Sequence, residues 1–424
     1  MAITRGVKRI RKCRVCGFAR LQKIFSLGDF YVSNFIDEKE QKEFTKYPLT
    51  LVLCNKKAGG CGLLQLEHTV SNEILYRNYW YRSGTNSTMT GDLQDVVRAA
   101  RAIVPLKRSD FVLDIGCNDG TLLRMYDGGA RRVGFEPARN LVQIAGLNAD
   151  KIINDFFNYP AWQKAFPRAK AKVITAIAMF YDLDNPNQFI ADAKKCLHRD
   201  GIFIIQMSYL PLMLSENAFD NICHEHLEYY SLLSLENLLS RHGLRVFDVE
   251  LNDVNGGSFR AYICNVDSKP DIRIPKGAKQ RVDKLRADEL RLNLNNRKPY
   301  DAFVKRVTGL KRDTVNFIGR EARRGKKIYI YGASTKGNTL LQYYGLNSSA
   351  IPFAVERNQD KWGRKTIGTL IPIISEEQAR ADKPDYFLIL PWHFLKEFRE
   401  REKDFFKSGG KFIVPLPKFS VIGK

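Results

Sequence analysis

The stretch "VLDIGCNDGTLL", residues 112–123, decides the fold of this chain because it joins an apolar strand to a helix through a glycine turn. Gly116 and Gly120 allow the backbone to turn tightly and to approach a ligand, and the helix begins directly afterwards. The motif reads G-x-N-x-G, with Asn118 at its centre, rather than G-x-G-x-x-G. This spacing fits a ligand built from a nucleoside and an amino acid better than it fits a pyrophosphate.

An acidic residue ends the next strand, in "RRVGFEPA" (residues 131–138), about twenty residues beyond the turn. A carboxylate at this position can accept hydrogen bonds from both hydroxyls of a ribose. The strand, the turn and the acid together predict a site for S-adenosylmethionine. The residues of this motif that we expect to hold the cofactor are Asp114, Gly116, Asn118, Gly120, Glu136 and Pro137.

Residues after the third and fourth strands are predicted to reach the same edge of the sheet, where ligands bind. Asp155 follows the third strand and is expected near the adenine amino group, although aspartate also caps helices. Phe180 and Tyr181 follow the fourth strand. We count Phe180 among the cofactor residues, while packing of both rings in the core is an equally good interpretation of the sequence.

Strands and helices alternate through residues 106–265, which predicts a parallel sheet with helices on both faces. An aromatic, polar lid loop and an amphipathic helix precede them, so residues 71–265 are assigned to one Rossmann-like domain. The stretch "KKIYIYGASTKGNTLL" repeats the strand, the glycine turn and the helix, and residues 326–424 are predicted to form a second Rossmann-like domain. The charged segment 266–325 between them is predicted to be an exposed helical linker or arm.

Four of the eight cysteines lie near the start of the chain, which predicts a small zinc-binding domain over residues 1–70. The basic N-terminal stretch has no apolar core of the secretory type, so we expect a cytoplasmic protein without disulfides. Two cysteine pairs on turns supply the four thiolates of a structural zinc site. The alternative is four free thiols in a domain whose core is too small to be stable alone. The predicted ligands are Cys13, Cys16, Cys54 and Cys61, and the second pair is more widely spaced than usual.

The formal net charge of +22 admits three kinds of partner: nucleic acid, an anionic membrane face or a polyanionic small molecule. The chain has no aromatic RNA-binding signature, so we expect no nucleic-acid partner. No apolar run is long enough to span a membrane. A nucleotide diphosphate would use a few of the basic residues, whereas a solvated basic surface would explain most of them.

The stretch "ICHEHLEYYS", residues 222–231, carries two of the six histidines. His224 and His226 share a face only if the segment is extended, and they lack the spacing of a helical metal site. A histidine titrates near neutrality and can act as a general base, with Glu225 or Glu228 fixing its tautomer. A polar patch at a domain interface is the remaining interpretation.

Seven motifs together resemble one family, the C-methyltransferases that act on nucleotide-linked 4-keto-deoxysugars. They are "CRVCG", "CGLLQL", "YRSGTNS", "DIGCNDGTLL", "HEHLEYYSL", "NDVNGGSFRAYI" and "YGASTKGNTLL". The resemblance covers nearly the whole chain. It implies a zinc-binding N-terminal domain, a central class I S-adenosylmethionine-dependent methyltransferase domain, and a C-terminal Rossmann-like domain that helps to hold the nucleotide sugar.

The same resemblance implies roles for individual residues. His226 corresponds to the base that removes the proton beside the ketone, Glu225 to its acidic helper, and Lys336 to a lysine suited to the diphosphate. Some relatives have tyrosine at the position of Cys223. The resemblance also implies that Tyr81 contacts the cofactor and the reacting centre. The predicted catalytic set is Tyr81, His224, Glu225 and His226, and Tyr81 and Ser83 of the lid loop are predicted to contact the cofactor. The implied substrate-binding set is Asn255, Gly256, Lys336, Asn338, Glu356 and Arg357.

The sequence therefore predicts an S-adenosylmethionine-dependent C-methyltransferase in which a histidine forms an enolate from a nucleotide-activated keto-deoxysugar. Methyl transfer to oxygen or nitrogen is the first alternative, because the same base would serve a hydroxyl or an amine. A basic zinc-ribbon methyltransferase that binds RNA is the second. The expected partner is a nucleotide-diphosphate sugar, and the chain is expected to be a monomer or a homodimer.

Overall fold

The computed structural model describes residues 6–77, 79–126, 128–268 and 273–423. It contains an N-terminal antiparallel sheet, a central seven-stranded sheet and a C-terminal six-stranded sheet. Within the described ranges, no helix is both long enough and apolar enough to cross a membrane.

The N-terminal unit is built from antiparallel strands. β2 pairs with β4 and β4 pairs with β5, while the short β1 pairs with β6. Their bounds are β1 Val7–Arg9, β2 Leu21–Tyr31, β3 Phe35–Ile36, β4 Lys46–Cys54, β5 Leu64–Leu66 and β6 His68–Val70.

Two helices connect this unit to the central sheet, α1 at Asn72–Tyr76 and α2 at Ser87–Ile103. The side chain of Asn86 accepts a hydrogen bond from the Met89 amide, which caps the exposed N–H groups at the start of α2. The apolar residues of α2 recur every three or four positions and are buried against the central sheet. The helix thereby holds the loop that precedes it, residues 79–86, above the edge of that sheet.

The central sheet has the strand order β13-β14-β11-β10-β7-β8-β9. The five strands from β11 to β9 run parallel, and β14 lies antiparallel between β13 and β11. Its strands are β7 Phe111–Ile115, β8 Arg131–Phe135, β9 Lys151–Ile153, β10 Ala171–Ile177, β11 Leu197–Ser208, β13 Leu244–Asn252 and β14 Ser258–Asn265. The short strand β12, Glu228–Tyr229, lies in this part of the chain but belongs to another sheet. The helices are α3 Thr121–Arg124, α4 Val142–Gly146, α5 Tyr159–Ala165, α6 Pro186–Cys196, α7 Leu210–Ser215 and α8 Leu232–Ser240.

This arrangement confirms the predicted class I methyltransferase fold. The strands are largely apolar because both faces of the sheet are covered, one mainly by α2 and α3 and the other by α5, α6 and α8. The carboxyl ends of β7, β8 and β10 meet at one edge, where polar residues follow each strand.

The strand β12 does not belong to the central sheet. It pairs antiparallel with β5, Glu228 opposite Gln65 and Tyr229 opposite Leu64, so it forms the edge of the N-terminal sheet, whose order is β12-β5-β4-β2. The segment that carries His226 is therefore shared between two units of the chain.

Of the segment 266–325, the residues from 278 to 323 are mostly helical, as predicted, but they do not form an exposed arm. The segment contains α9, Ala278–Leu292, and α10, Lys298–Arg323. α9 buries Val282, Leu285 and Glu289 against α8 and β13, and one face of α10 lies in the C-terminal core. Both helices are amphipathic, and most of the charged residues that suggested exposure occupy the outer faces, while Glu289 and Glu321 are buried.

The C-terminal unit has a sheet of order β18-β16-β15-β19-β20-β21, parallel except for β21. Its strands are β15 Ile328–Tyr331, β16 Ala354–Val355, β17 Lys365–Thr366, β18 Ile373–Ile374, β19 Tyr386–Ile389, β20 Lys411–Val414 and β21 Ser420–Ile422. Its helices are α11 Thr335–Tyr344, α12 Glu376–Ala381, α13 Leu395–Arg401 and α14 Lys403–Lys407. β17 pairs with β3 and ties this unit to the N-terminal one.

We predict that Glu289→Ala destabilises the chain. The buried Glu289 carboxylate accepts hydrogen bonds from the Leu232 amide, from the Leu233 amide at 2.9 Å and from the Tyr209 hydroxyl at 2.7 Å. Its removal leaves these donors without their acceptor, at a cost of about 3 kcal/mol. Urea unfolding followed by fluorescence should show an earlier midpoint, whereas Asp283→Ala, on the exposed side of α9, should change it little. Equal shifts in the two variants would contradict this role of Glu289.

Candidate active site and metal centre

The four predicted metal ligands come together in the N-terminal unit. The sulfur atoms of Cys13, Cys16, Cys54 and Cys61 all lie within 4.8 Å of one another, with Cys13 and Cys61 3.6 Å apart and Cys16 and Cys54 3.4 Å apart. A zinc ion with bonds of about 2.3 Å to four thiolates separates them by about 3.8 Å. The observed distances fit that geometry.

The surroundings of these sulfur atoms also suit thiolates. The Gln65 side-chain amide donates to the Cys13 sulfur at 3.2 Å, and the Cys61 amide donates to the Cys54 sulfur at 3.3 Å. The Cys54 thiol donates to the Cys13 sulfur, and this hydrogen bond raises the pKa of Cys54 to about 12. A divalent cation lowers the pKa of these thiols, since its two positive charges offset part of the charge of four crowded thiolates. The cluster is a structural zinc site, because all four positions are taken by protein ligands.

A cavity of about 880 Å³ lies between the carboxyl edge of the central sheet and the turn that follows β15. Most of the predicted site residues line it. They are Tyr81, Ser83, Asp114, Gly116, Asn118, Glu136, Pro137, Asp155, Glu225, His226, Asn255, Lys336, Glu356 and Arg357. The cavity therefore brings residues of both Rossmann-like units to one space.

The glycine turn forms the floor of one end of the cavity. Gly116 has a φ of 71°, and a Cβ atom there would lie 3.1 Å from the Met179 side chain. Asn118 has a φ of 54°, which asparagine tolerates better than most residues. The amides of Gly116 and Cys117 donate to the Phe135 carbonyl at 2.9 and 3.0 Å, so the turn is fixed to the end of β8.

The lid loop is bound directly to this turn. The Asn118 side chain accepts a hydrogen bond from the Ser83 amide at 2.9 Å and donates one to the Tyr81 carbonyl at 3.0 Å. The Gly84 amide donates to the Asp119 carboxylate at 2.8 Å. The loop consequently closes over the turn, which places Tyr81 and Ser83 on the cavity wall.

Two buried carboxyl groups lie at the carboxyl ends of β7 and β8, Asp114 within β7 and Glu136 directly after β8. Glu136 accepts the Asn118 amide at 2.7 Å on one oxygen and the Ala138 amide at 2.8 Å on the other. The Thr175 hydroxyl donates to Asp114 at 2.6 Å. Burial raises the pKa of each acid to about 7. Each Glu136 oxygen has a further lone pair, so the carboxylate can still accept from a ribose diol.

His226 is held in a defined tautomer. Its Nδ1 lies 2.9 Å from the Asn221 carbonyl, which can only accept, so Nδ1 carries the proton and Nε2 is free to accept one. Its ring lies 4.3 Å from the Tyr181 ring, centroid to centroid. Burial, and secondly the charge of Lys336, lower the pKa of His226 to about 3. The orienting role predicted for Glu225 thus belongs to a main-chain carbonyl.

Glu225 instead belongs to a group of polar residues that line the cavity near His226. Burial raises the pKa of Glu225, and burial together with the nearby Glu225 carboxyl raises that of Asp182. The Tyr76 hydroxyl donates to the Glu225 carbonyl at 3.0 Å, and Tyr79 lies on the same wall. Sequence reasoning missed Tyr76, Tyr79 and Asp182. The aromatic stretch "YRNYWY" and the acid in the loop that follows β10 were the available signals.

Lys336 connects the two halves of the cavity. It lies in the first turn of α11, and its ammonium donates to the Asn221 side chain at 2.6 Å and to the Asn255 carbonyl at 3.4 Å. Burial lowers the pKa of Lys336, and the nearby Asp220 opposes that effect. Asn221 therefore contacts both His226, through its carbonyl, and Lys336, through its side chain.

Glu356 follows β16 as Glu136 follows β8. One of its oxygens accepts the Arg357 amide at 2.8 Å and the Asn358 amide at 3.1 Å, and the other accepts the Lys361 ammonium at 3.2 Å. Arg357 is exposed at the rim. The two Rossmann-like units thus place equivalent acids at the two ends of one cavity.

Three predicted residues of the central unit lie away from the cavity wall. Gly120 caps α3, where a Cβ atom would meet Asn148 at 2.9 Å, so its role is to let the backbone turn. Phe180 is fully buried against Tyr230 in the core and does not wall the pocket. The His224 Nε2 donates to the Tyr47 carbonyl at 3.0 Å, so this ring serves an interface between units.

Two predicted substrate residues also lie behind the wall. A Cβ atom at Gly256 would lie 2.8 Å from the Trp392 ring, so this glycine permits close packing. Asn338 donates to the Asn34 carbonyl at 3.0 Å and ties α11 to the N-terminal unit. Both residues support the cavity from outside it.

We predict that Glu136→Gln weakens binding of S-adenosylhomocysteine by about tenfold or more, because an amide cannot accept on both sides as the carboxylate does. Isothermal titration would measure the change. Asp150→Asn is the matched control, since Asp150 pairs with Arg132 at the far end of β8. Unchanged affinity in Glu136→Gln would remove this residue from the cofactor site.

Three family profiles match successive parts of the chain. A zinc-binding domain matches residues 13–76, a methyltransferase domain matches 86–249, and a C-methyltransferase C-terminal domain matches 253–417. Solved structures resemble parts of the chain. One is the complex of the Haloferax volcanii Trm112 activator with a methyltransferase (16% identity, 43% of this chain, 94% of that chain, TM-score 0.35). Another is the mitomycin 7-O-methyltransferase MmcR (16% identity, 43% of this chain, 55% of that chain, TM-score 0.34).

The chain is also similar over nearly its whole length to the C-methyltransferase NovU of Streptomyces niveus. The two are 30% identical over 420 residues, which is 98% of each chain. The three profiles follow the order of the three units described above. The chain therefore belongs to the C-methyltransferase family and is an S-adenosylmethionine-dependent methyltransferase with a structural zinc site.

Proposed function

We propose that the enzyme methylates a carbon of a nucleotide-activated keto-deoxysugar, with His226 as the base that forms an enolate. The observation that carries this proposal is that His226 and Lys336 both form hydrogen bonds with Asn221. Both side chains line the same cavity as the glycine turn. A base at the centre, a cofactor site at one end and a buried lysine at the other suit a substrate with a reactive sugar and a phosphate group.

The bound cofactor supplies an electrophilic methyl group on its sulfonium. The free Nε2 of His226 takes the proton from the carbon beside the ketone, and the electron pair moves onto the ketone oxygen. Tyr79, whose pKa burial raises, keeps its proton and can donate to that oxygen. The carbon then forms its bond to the methyl group as the bond to sulfur breaks, and His226 returns its proton to solvent.

The C-terminal unit offers groups that suit a nucleotide diphosphate. Lys336 supplies a positive charge in the first turn of α11, where the helix N-terminus also favours an anion. Glu356 and Arg357 lie on the same side of the cavity, Glu356 as an acceptor for sugar hydroxyls and Arg357 as a further cation. The proposed substrate therefore extends from the central unit into the C-terminal one.

Methyl transfer to a hydroxyl or an amine would use the same histidine, so the acceptor atom must be tested directly. Incubation of the enzyme, S-adenosylhomocysteine and TDP-, GDP- or UDP-linked 4-keto-6-deoxyhexoses in deuterium oxide would report enolate formation by NMR. We expect exchange of a proton on the carbon beside the ketone. Methylation of the same sugars with S-adenosylmethionine, without any such exchange in the S-adenosylhomocysteine incubation, would favour oxygen or nitrogen as the acceptor. Tight binding of RNA that weakens steeply with salt would favour the RNA-binding alternative.

We predict that His226→Ala binds S-adenosylhomocysteine normally but loses both this exchange and turnover, by a factor of about 10²–10⁴. Calorimetry and the exchange assay would separate the two properties. His198→Ala is the control, because His198 bonds the Asp200 amide away from the cavity and its loss should affect neither. Turnover near the normal rate in His226→Ala would remove His226 from the mechanism.

We also predict that the rate does not fall as the pH is lowered through the usual histidine range. Burial lowers the pKa of His226 to about 3, so its neutral, proton-accepting form persists at pH values where an exposed histidine would already be charged. The exchange rate at saturating substrate should remain level between about pH 7 and pH 5. An acidic limb near pH 6.5 would show that the base titrates like a solvated imidazole.

A further inference from the structure

The segment that carries His226 is hydrogen-bonded into the sheet of the zinc domain. The Leu66 amide donates to the Leu227 carbonyl at 2.8 Å, directly after His226, and β12 then continues along β5. Two residues before His226, the His224 ring donates to the Tyr47 carbonyl on β4 at 3.0 Å. The base is therefore held on both sides by strands of the N-terminal unit.

The same strands meet the metal ligands through Gln65. This residue lies on β5 opposite Glu228, and its side chain is fully buried. Its amide nitrogen donates to the Cys13 sulfur at 3.2 Å, and its oxygen accepts the Arg14 amide at 3.2 Å. A residue that borders β12 with its backbone thus contacts a metal ligand with its side chain.

Arg14 adds a second connection between the two regions. Its guanidinium donates to the Leu66 carbonyl at 2.7 Å and to the Gln65 oxygen at 3.3 Å, and its Nε lies 3.9 Å from the Glu228 carboxyl. Arg14 directly follows the ligand Cys13, and its side chain is almost completely buried. The position of β12 consequently depends on the conformation of the first cysteine turn.

The cofactor end of the cavity is anchored differently. The turn around Asn118 is bonded to the end of β8 and to the lid loop, both of which lie outside the N-terminal sheet. A disturbance of the cysteine turn would therefore reach His226 through β5 and β12 before it reached Asn118 or Glu136.

We propose that Gln65 is a positioning residue through which the zinc site holds His226 in place, so that loss of the metal withdraws the base while the cofactor site stays intact. This inference rests on the proposed function only in taking His226 as the base. The zinc site then has a part in the reaction that goes beyond stabilising its own small domain.

The test compares the full-length enzyme, the same enzyme treated with a zinc chelator, and the variant Gln65→Met, which keeps the side-chain volume but cannot donate to Cys13. Hydrogen–deuterium exchange would report the protection of amides in residues 222–230 and, separately, in residues 111–125. We expect both treatments to reduce protection in the first segment about tenfold or more and to leave the second within about twofold. Affinity for S-adenosylhomocysteine should likewise change by less than about twofold.

Turnover supplies the second readout. We expect kcat to fall about tenfold or more in Gln65→Met with little change in KM, since misplacement of a base affects the chemical step. Gln22→Met is the matched control. Gln22 lies on β2 at the opposite edge of the same sheet and bonds Asn55 beside the second cysteine turn, so its loss should leave residues 222–230 protected.

The outcomes are distinct. The inference would be overturned if residues 222–230 kept normal amide protection and kcat stayed normal, either in Gln65→Met or after zinc removal. The assignment of His226 as the base would still stand. Loss of cofactor affinity in parallel with the loss of protection would also overturn the inference, because the zinc site would then stabilise the whole chain. If Gln65→Met does not fold, the chelated enzyme alone decides between these results. Unimpaired turnover of His226→Ala would instead refute the proposed base, and the exchange data would still report on the coupling.

Discussion

The carbonyl of Asn221 accepts the Nδ1 proton of His226, while the side chain of the same residue accepts from Lys336. This pair of hydrogen bonds sets the tautomer of a buried imidazole and the position of a buried ammonium at once. Asn221 is itself almost completely inaccessible, so neither bond competes with water. Asn221 therefore fixes the His226 ring and links it to the first turn of α11 in the C-terminal unit.

The lid loop joins the remaining parts of the molecule around that centre. Its Trp80 donates to Asn34 of the N-terminal unit at 2.8 Å, and its Arg82 pairs with Asp360 of the C-terminal unit at 3.0 Å. Through Asn118 the loop also contacts the cofactor turn. All three units therefore meet at the loop.

Local sequence patterns were sufficient to predict the glycine turn, the acid after the second strand and the four cysteines, because each of these features is fixed by neighbours in the chain. Sequence adjacency misled in the case of Glu225. His226 closes a turn in which its amide donates to the Cys223 carbonyl at 3.2 Å, and its ring is oriented by the Asn221 carbonyl, five residues earlier, rather than by its neighbour Glu225. The burial of Glu289 in α9 and the pairing of β12 with β5 depend on tertiary contacts, which no local pattern encodes.

The exchange of strands between units has a consequence for biosynthesis. The N-terminal sheet lacks its edge strand until Glu228 and Tyr229 have left the ribosome. The strand β3 cannot pair until β17 has been synthesised, which happens later still. A nascent N-terminal domain therefore exposes the unpaired edge of β5, which is open to wrong partners. Early metal capture by the four cysteines would keep that unfinished sheet in register until its last strand arrives.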